Sequence, residues 1–193
     1  MGAYVSTEAS EMTDPLTFNA LKIAGKSIIP VCTDQADDVD YRADMAYASL
    51  VSGIVLANAG LGIVHGLASP VGGFFDIPHG VVCGTVFAET VKINIKLLKE
   101  QKGGARYLNK YARIGAHWSE REKLYYEEKN IEKCCQLLVE TIEKWLEKLD
   151  ISRLSEFGIK ESDLDKIAEN TGNKNNPVPL NKEQIKKILK NRL

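Results

Sequence analysis

The most informative segment of the chain reads Leu61-Gly62-Ile63-Val64-His65-Gly66-Leu67-Ala68-Ser69-Pro70-Val71-Gly72-Gly73-Phe74-Phe75 and runs directly into Asp76-Ile77-Pro78-His79-Gly80. It holds His65 and His79, two of the three histidines of the chain. Imidazole is the commonest protein ligand for metals and titrates near neutral pH. Because their neighbours in sequence are mostly apolar, we expect both rings to be buried. The segment predicts a functional site, and no other segment gives a comparable signal.

The composition is that of a globular protein with one domain or two small ones. Of the 193 residues, 44% are hydrophobic and 26% are charged, which is ordinary for such proteins. A net charge of −1 provides no single-sign field for nucleic acid or an anionic membrane, so we expect neither as a partner. The longest apolar stretch, residues 54–67, contains Asn58, several glycines and His65, and is too short and polar to span a bilayer.

Cysteine usage favours a reducing compartment. The four cysteines, none of which forms a CxxC pair, are Cys32, Cys83, Cys134 and Cys135. No secretory leader pattern opens the sequence. We therefore expect no disulfide framework and a cytoplasmic protein.

Helical spacing of apolar residues runs along almost the whole chain, and no run alternates as a strand would. The pattern predicts a single all-α domain over residues 1–193, built as a bundle of seven or eight helices. We expect Asp14 to cap the first helix, and Pro70 with Gly72-Gly73 to break the chain soon after His65. The predicted helices are 14–30, 41–58, a short one carrying His65, 80–99, 105–116, 130–149, 162–170 and 181–193.

His65 and His79 cannot share one helix face, because facing residues on a helix are three or four positions apart. They meet only if the chain reverses between them, which the intervening prolines and glycines permit. Such a pair would suit iron, zinc, nickel or copper. A third ligand would then come from Asp76 or His117. The alternative is that both rings are buried or cap helices, with hydrogen bonds to the backbone.

Gly60, Gly62 and Gly66 partly match a dinucleotide-binding fingerprint. The third glycine stands one position late, no strand precedes the motif and no acidic residue follows at the required distance. We therefore interpret these glycines as a helix C-cap and a site of close helix packing.

Several stretches resemble the C-terminal, all-helical domain of the iron-containing (group III) alcohol dehydrogenases, whose fold is dehydroquinate synthase-like. The resemblance covers nearly the whole chain and is strongest around the two histidines. It rests on residues 3–7 (Ala-Tyr-Val-Ser-Thr), 12–14, 58–66, 72–74, 77–80 (Ile-Pro-His-Gly) and 176–180 (Asn-Pro-Val-Pro-Leu).

The resemblance implies that His65 and His79 are the last two of four ligands of a divalent metal, iron or zinc. In the family an Asp and a His come first, on a helix immediately before the Tyr-Val-Ser-Thr motif, where this chain begins. We expect those ligands and the N-terminal nucleotide-binding domain to be absent. Many members carry a further histidine near the nicotinamide, and Ser69 stands at that position here.

The resemblance further implies the helical half of an NAD(P)-dependent, metal-containing alcohol dehydrogenase, which interconverts small alcohols and aldehydes by hydride transfer. We expect the chain to be inactive and unable to bind NAD(P) alone, and we assign no catalytic residue in it. Two alternatives stay open. One is a non-catalytic scaffold that binds partners or self-associates through an apolar face. The other is one subunit of a split dehydrogenase.

Overall fold

Nine α-helices and two short 3-10 turns make up the regular structure of the computed structural model, which describes residues 1–193. No strand is present, and the prediction of an all-α domain is confirmed. The count exceeds seven or eight because a five-residue helix, α6, forms after residue 121. The helices are α1 Thr13–Cys32, α2 Val39–Ala59, α3 Ile63–Phe74, α4 His79–Glu100, α5 Ala105–Trp118, α6 Glu122–Tyr126, α7 Ile131–Lys148, α8 Leu164–Glu169 and α9 Lys182–Lys190.

Short polar side chains cap the first turns of α2, α7 and α9. A carboxylate oxygen of Asp38 accepts hydrogen bonds from two backbone N–H groups in the first turn of α2. Asn181 and Gln184 form a reciprocal capping box at α9. The prediction for α1 was wrong: Asp14 lies inside the helix and pairs with Lys110 of α5 at 2.7 Å instead of capping.

The helix carrying His65 is longer than predicted. Pro70 and the two glycines after it do not break the chain, because α3 continues to Phe74. A proline inside a helix costs about 3 kcal/mol through its lost hydrogen bond and its clash with the preceding turn. Pro70 is buried together with Leu67 and Val71, and burying apolar side chains returns about 1.5–3 kcal/mol each. The chain therefore reverses at residues 75–78.

The core is built mainly around α4, α5 and α7, with α3, α8 and α9 packed at its edges. Its fully buried members include Val82, Tyr111, Ile114 and Leu138. Helices α1 and α2 pack against each other around a smaller cluster that contains Ala20, Val51 and Val55. The first turn of α3, its base, follows closely after Ala59 of the smaller cluster and begins at Ile63 of the larger one.

Two glycines set the position of α3. Gly60 ends α2 with a φ of +67°, and its N–H donates to the Leu56 carbonyl. At Gly66 a Cβ atom would lie 1.9 Å from the carbonyl oxygen of Gly172, so only glycine lets α3 approach that loop. The interpretation of these glycines as a C-cap and a packing site is confirmed.

A polar cluster joins α4 to α7 and to the end of α9. Glu89 accepts hydrogen bonds from Lys92 and Asn191, both at 2.5 Å. Lys92 also lies 2.6 Å from the carboxylate of Glu143 on α7. Burial acts to raise the pKa of Glu89, but the two hydrogen bonds outweigh it and lower that pKa.

All four cysteines are free. None of the helices taken singly is long and apolar enough to cross a membrane; α2 and α3 meet that test only together, as a pair bent by 100°.

Candidate metal centre

The chain reversal brings His65 and His79 side by side. His65 lies in the first turn of α3, and His79 is the first residue of α4. Their ring centroids are 5.4 Å apart and the ring planes meet at 49°. Two imidazoles from different helices thus face one region of space, as the spacing required.

The expectation that both rings are buried was wrong. His65 is half-buried and His79 is exposed, because both lie at the beginning of a helix where the bundle opens to solvent. Burial lowers the pKa of His65, and the neighbouring His79 lowers it further. A lowered pKa favours the neutral imidazole, which is the form that binds a metal.

A third donor, Cys83, completes a cluster that the sequence analysis missed. The ligand atoms of His65, His79 and Cys83 all lie within 4.8 Å of one another. The Cys83 Sγ is 3.4 Å from the His79 Nε2. Cys83 follows His79 by four positions on α4, and this i,i+4 spacing was the signal available in the sequence. Burial raises the pKa of its thiol.

The other two candidates for a third ligand are not part of the cluster. Asp76 is exposed in the reversal. His117 lies on α5, where its Nδ1 is 3.1 Å from the Glu122 carboxylate and its ring packs edge-on against Phe18. Ser69 is exposed on α3, one turn after His65 and on the same side of that helix.

A buried amide network holds the base of α3 in place. The Asn176 Nδ2 donates to Asn94 Oδ1 on α4 at 2.8 Å and to the Val178 carbonyl at 2.7 Å. The Asn176 Oδ1 accepts from the Ile63 N–H at 3.3 Å and from Asn94 Nδ2 at 3.2 Å. Ile63 begins α3 two residues before His65, so this network fixes one metal-binding candidate against the helix that carries the other two.

A cavity of about 280 Å³ lies beside the cluster. His65 and Cys83 form part of its wall, together with Phe87, Val91 and Tyr111. Thr90 also lines it, and the Thr90 Oγ1 is the buried side-chain oxygen that has no hydrogen-bond partner. The space is mostly apolar with a few polar groups, as is usual for small-molecule sites.

The donor set fits a transition metal. Two imidazole nitrogens and one sulfur converge without a carboxylate among them, and such donors suit zinc and its neighbours better than magnesium or calcium. One side of the cluster faces the cavity and another faces solvent.

Residues 1–193 match the sequence model described as Fe-containing alcohol dehydrogenase family, C-terminal. Alcohol dehydrogenase 4 of Saccharomyces cerevisiae is 29% identical, over 97% of this chain and 46% of its own length. The NADPH-dependent butanol dehydrogenase of Clostridium saccharobutylicum is also 29% identical, over the same shares. The crystal structure of a 1,3-propanediol oxidoreductase superposes with a TM-score of 0.84 at 25% identity, covering 100% of this chain and 48% of that one. This chain therefore spans about half the length of the relatives it matches.

Proposed function

Since this chain belongs to the Fe-containing alcohol dehydrogenase family, whose C-terminal model it matches over its whole length, we propose that it is the metal-side half of an oxidoreductase. The reaction is the interconversion of a small alcohol and its aldehyde with a nicotinamide cofactor, NAD or NADP. The observation that carries the proposal is the convergence of His65 and His79 from two helices beside a cavity.

His65 and His79 would hold the metal, iron or zinc, as neutral imidazoles. The metal supplies Lewis-acid polarisation of the substrate oxygen. The chain's own contribution is positioning: the Asn176 network fixes the base of α3, and burial, by lowering the pKa of His65, favours its neutral form. Rigid placement of ligands on helices is what a metal site needs to keep its geometry.

The cavity beside the pair would receive the substrate. Its volume of about 280 Å³ suits a small molecule rather than a long chain. Ser69 would line the side on which the nicotinamide lies. Its hydroxyl can donate or accept a hydrogen bond, but it does not titrate near neutral pH as a histidine does.

The nucleotide-binding domain is the partner that this function requires. The chain forms no strand and no glycine-rich loop of the strand–turn–helix type that grips a pyrophosphate. We propose that the chain alone is inactive, and that hydride transfer needs a nucleotide-binding domain in the same protein or in a separate subunit.

An apolar surface on α2 supports a second proposal, self-association. Leu50 and Ile54, one turn apart on the same face of α2, are 65% and 45% exposed. Neighbouring exposed apolar side chains favour contact with another protein surface. Sedimentation velocity of the purified chain should show dimers or larger species that dissociate when Leu50 and Ile54 are replaced by Glu. A monomer at high concentration would contradict this proposal.

Metal binding by the purified chain tests the main proposal. Apo protein is titrated with Zn²⁺ or, without oxygen, with Fe²⁺, and binding is followed by calorimetry and by the rise in melting temperature that a ligand of the folded state produces. We expect wild type and a His117→Ala control to bind metal, and His65→Ala and His79→Ala to lose it. No binding by the wild type would overturn the assignment of the pair.

Activity tests the rest of the proposal. With butanol or 1,3-propanediol and either nicotinamide, the metal-loaded chain should show no turnover until a nucleotide-binding domain is supplied. Turnover by the chain alone would contradict the need for that domain.

A further inference from the structure

We propose that Cys83 is a third protein ligand of the metal, so that this chain by itself carries a His₂Cys site that prefers zinc to iron. The inference builds on the His65–His79 pair of the proposed function and assigns a residue that the pair does not include. Three observations carry it: the distance between the donor atoms, the placement of the three residues on two fixed helices and the chemistry of the donor set.

The donor atoms are already close to the separations of a bound zinc site. With Zn–S of about 2.3 Å and Zn–N of about 2.05 Å, sulfur and nitrogen in a tetrahedral site lie about 3.6 Å apart, and two nitrogens about 3.3 Å apart. The observed distance from Cys83 Sγ to His79 Nε2 is 3.4 Å. The remaining donor distances are within 4.8 Å, so the donors need to approach one another by about 1.5 Å or less to reach these separations.

Helices α3 and α4 hold the three donor residues in fixed positions relative to one another. His79 and Cys83 lie one turn apart on α4, so their side chains project from the same face of one helix. His65 comes from α3, whose first residue is hydrogen-bonded into the Asn94–Asn176 network. Because the three side chains lie on two packed helices, they lose little freedom when they bind a metal. This arrangement therefore binds a metal more favourably than flexible ligands would.

The chemistry of the third donor determines which metal fits. A thiolate is a soft ligand and shifts preference toward zinc, whereas oxygen ligands suit harder ions. Three protein ligands with one open position are typical of catalytic zinc. Loading would displace the thiol proton of Cys83 to solvent, so that one proton is released from sulfur for each metal bound.

Cobalt serves as a spectroscopic probe for the thiolate. Co²⁺ added to the apo chain should produce the intense near-ultraviolet charge-transfer band of a sulfur–cobalt bond. We expect Cys83→Ser to lose this band, and Cys32→Ser, which removes an exposed thiol elsewhere, to retain it. The zinc affinity of Cys83→Ser should fall more than about 100-fold, because even residues that only orient a ligand contribute 10–100-fold.

Selectivity gives a second readout. The ratio of zinc affinity to iron affinity should fall at least about tenfold in Cys83→Ser relative to wild type, since the substitution removes the soft donor. Far-ultraviolet circular dichroism confirms that each variant is folded, and Cys83→Ala replaces Cys83→Ser if serine destabilises the helix.

The outcomes separate this inference from the proposed function. If the wild type binds metal without the charge-transfer band and Cys83→Ser binds equally well, Cys83 is only part of the cavity wall and the histidine pair survives. If the wild type binds no metal, both the inference and the pair are wrong. If Cys83→Ser and His79→Ala both lose metal while Cys32→Ser keeps it, the three-ligand site stands.

Discussion

Replacing Asn176 with alanine should unfold the base of α3 and lower the stability of the whole bundle. The side chain is 7% exposed and makes four hydrogen bonds. They reach the first N–H of α3, both ends of the Asn94 amide and the Val178 carbonyl. No other part of the chain offers these groups a replacement partner at the same place.

The size of the effect follows from the groups that lose their partners. The Ile63 N–H, the Asn94 Oδ1 and the Val178 carbonyl have no other hydrogen bond to the protein, whereas Asn94 Nδ2 keeps its bond to Tyr111. An unsatisfied buried polar group costs about 1–3 kcal/mol. Because the adjoining cavity admits water to this region, the lower end applies, and three groups give about 3 kcal/mol.

Chemical denaturation followed by circular dichroism measures this loss. We expect Asn176→Ala to lower the free energy of unfolding by about 3 kcal/mol with an unchanged m-value, and to lower the melting temperature by about 6–12 °C in a chain of this size. The matched control is Asn175→Ala, whose side chain makes no hydrogen bond, and which should stay within about 0.5 kcal/mol of wild type. A loss below about 1 kcal/mol for Asn176→Ala would refute the reasoning.

Two further predictions concern packing and pH. Gly66→Ala should destabilise the protein by about 1–3 kcal/mol by overpacking α3 against the Gly172 carbonyl. Its control is Gly72→Ala, in open space on the same helix, which should be neutral or stabilising by up to about 1 kcal/mol. Equal effects of the two substitutions in chemical denaturation would contradict the close contact at Gly66. Because the pKa of Glu89 is lower in the folded state than in the unfolded state, its stabilising contribution is present above its ordinary pKa of about 4.3 and is lost as the pH falls through the folded value. Denaturation of metal-free protein should therefore show that, from pH 6 to about pH 3, the free energy of unfolding falls less for Glu89→Gln than for wild type. Parallel dependence on pH in the two proteins would exclude this role of Glu89.

The helices were predictable because their signals are local. For α2, the acidic residues before position 41 and the glycine at position 60 placed the ends at 41 and 58, against the observed Val39–Ala59. Asp38 supplies the cap, and Gly60 adopts the positive φ that stops the helix. Periodicity and end signals depend only on neighbouring residues, so a single sequence carries them.

Predictions that depended on tertiary surroundings were less accurate. Pro70 is a helix breaker by its own chemistry, but its burial against the core keeps α3 intact. His65 and His79 have apolar neighbours in sequence, yet the helix ends that carry them lie where the bundle opens. The local composition shows which residues are neighbours in sequence, but not where in the fold a side chain lies.

The residues of the candidate site also differ in how far local sequence predicts them. His65 and His79 were visible as a pair because glycine and proline between them permitted a reversal. Cys83 was visible in principle, four residues after His79. The network between Asn94 and Asn176 joins residues 82 positions apart, and nothing local to either asparagine indicates the other. The candidate ligands were thus within reach of sequence reasoning, whereas the residues that position them were not.

The exposure of His79 bears on how such a site would work. Under the function proposed above, a substrate at the pair would also have to meet a nicotinamide held by a nucleotide-binding domain. A pair sealed in the core would be well protected but unreachable. Here His65 is half-buried, while His79 and Ser69 are exposed along one side of the cluster. The cavity lies on the side of His65 and Cys83, so the function proposed above would leave substrate and cofactor separate approaches to the same candidate donors. The Asn94–Asn176 network holds the helix that carries His65, and the open side would leave room for the second domain that the proposed function requires.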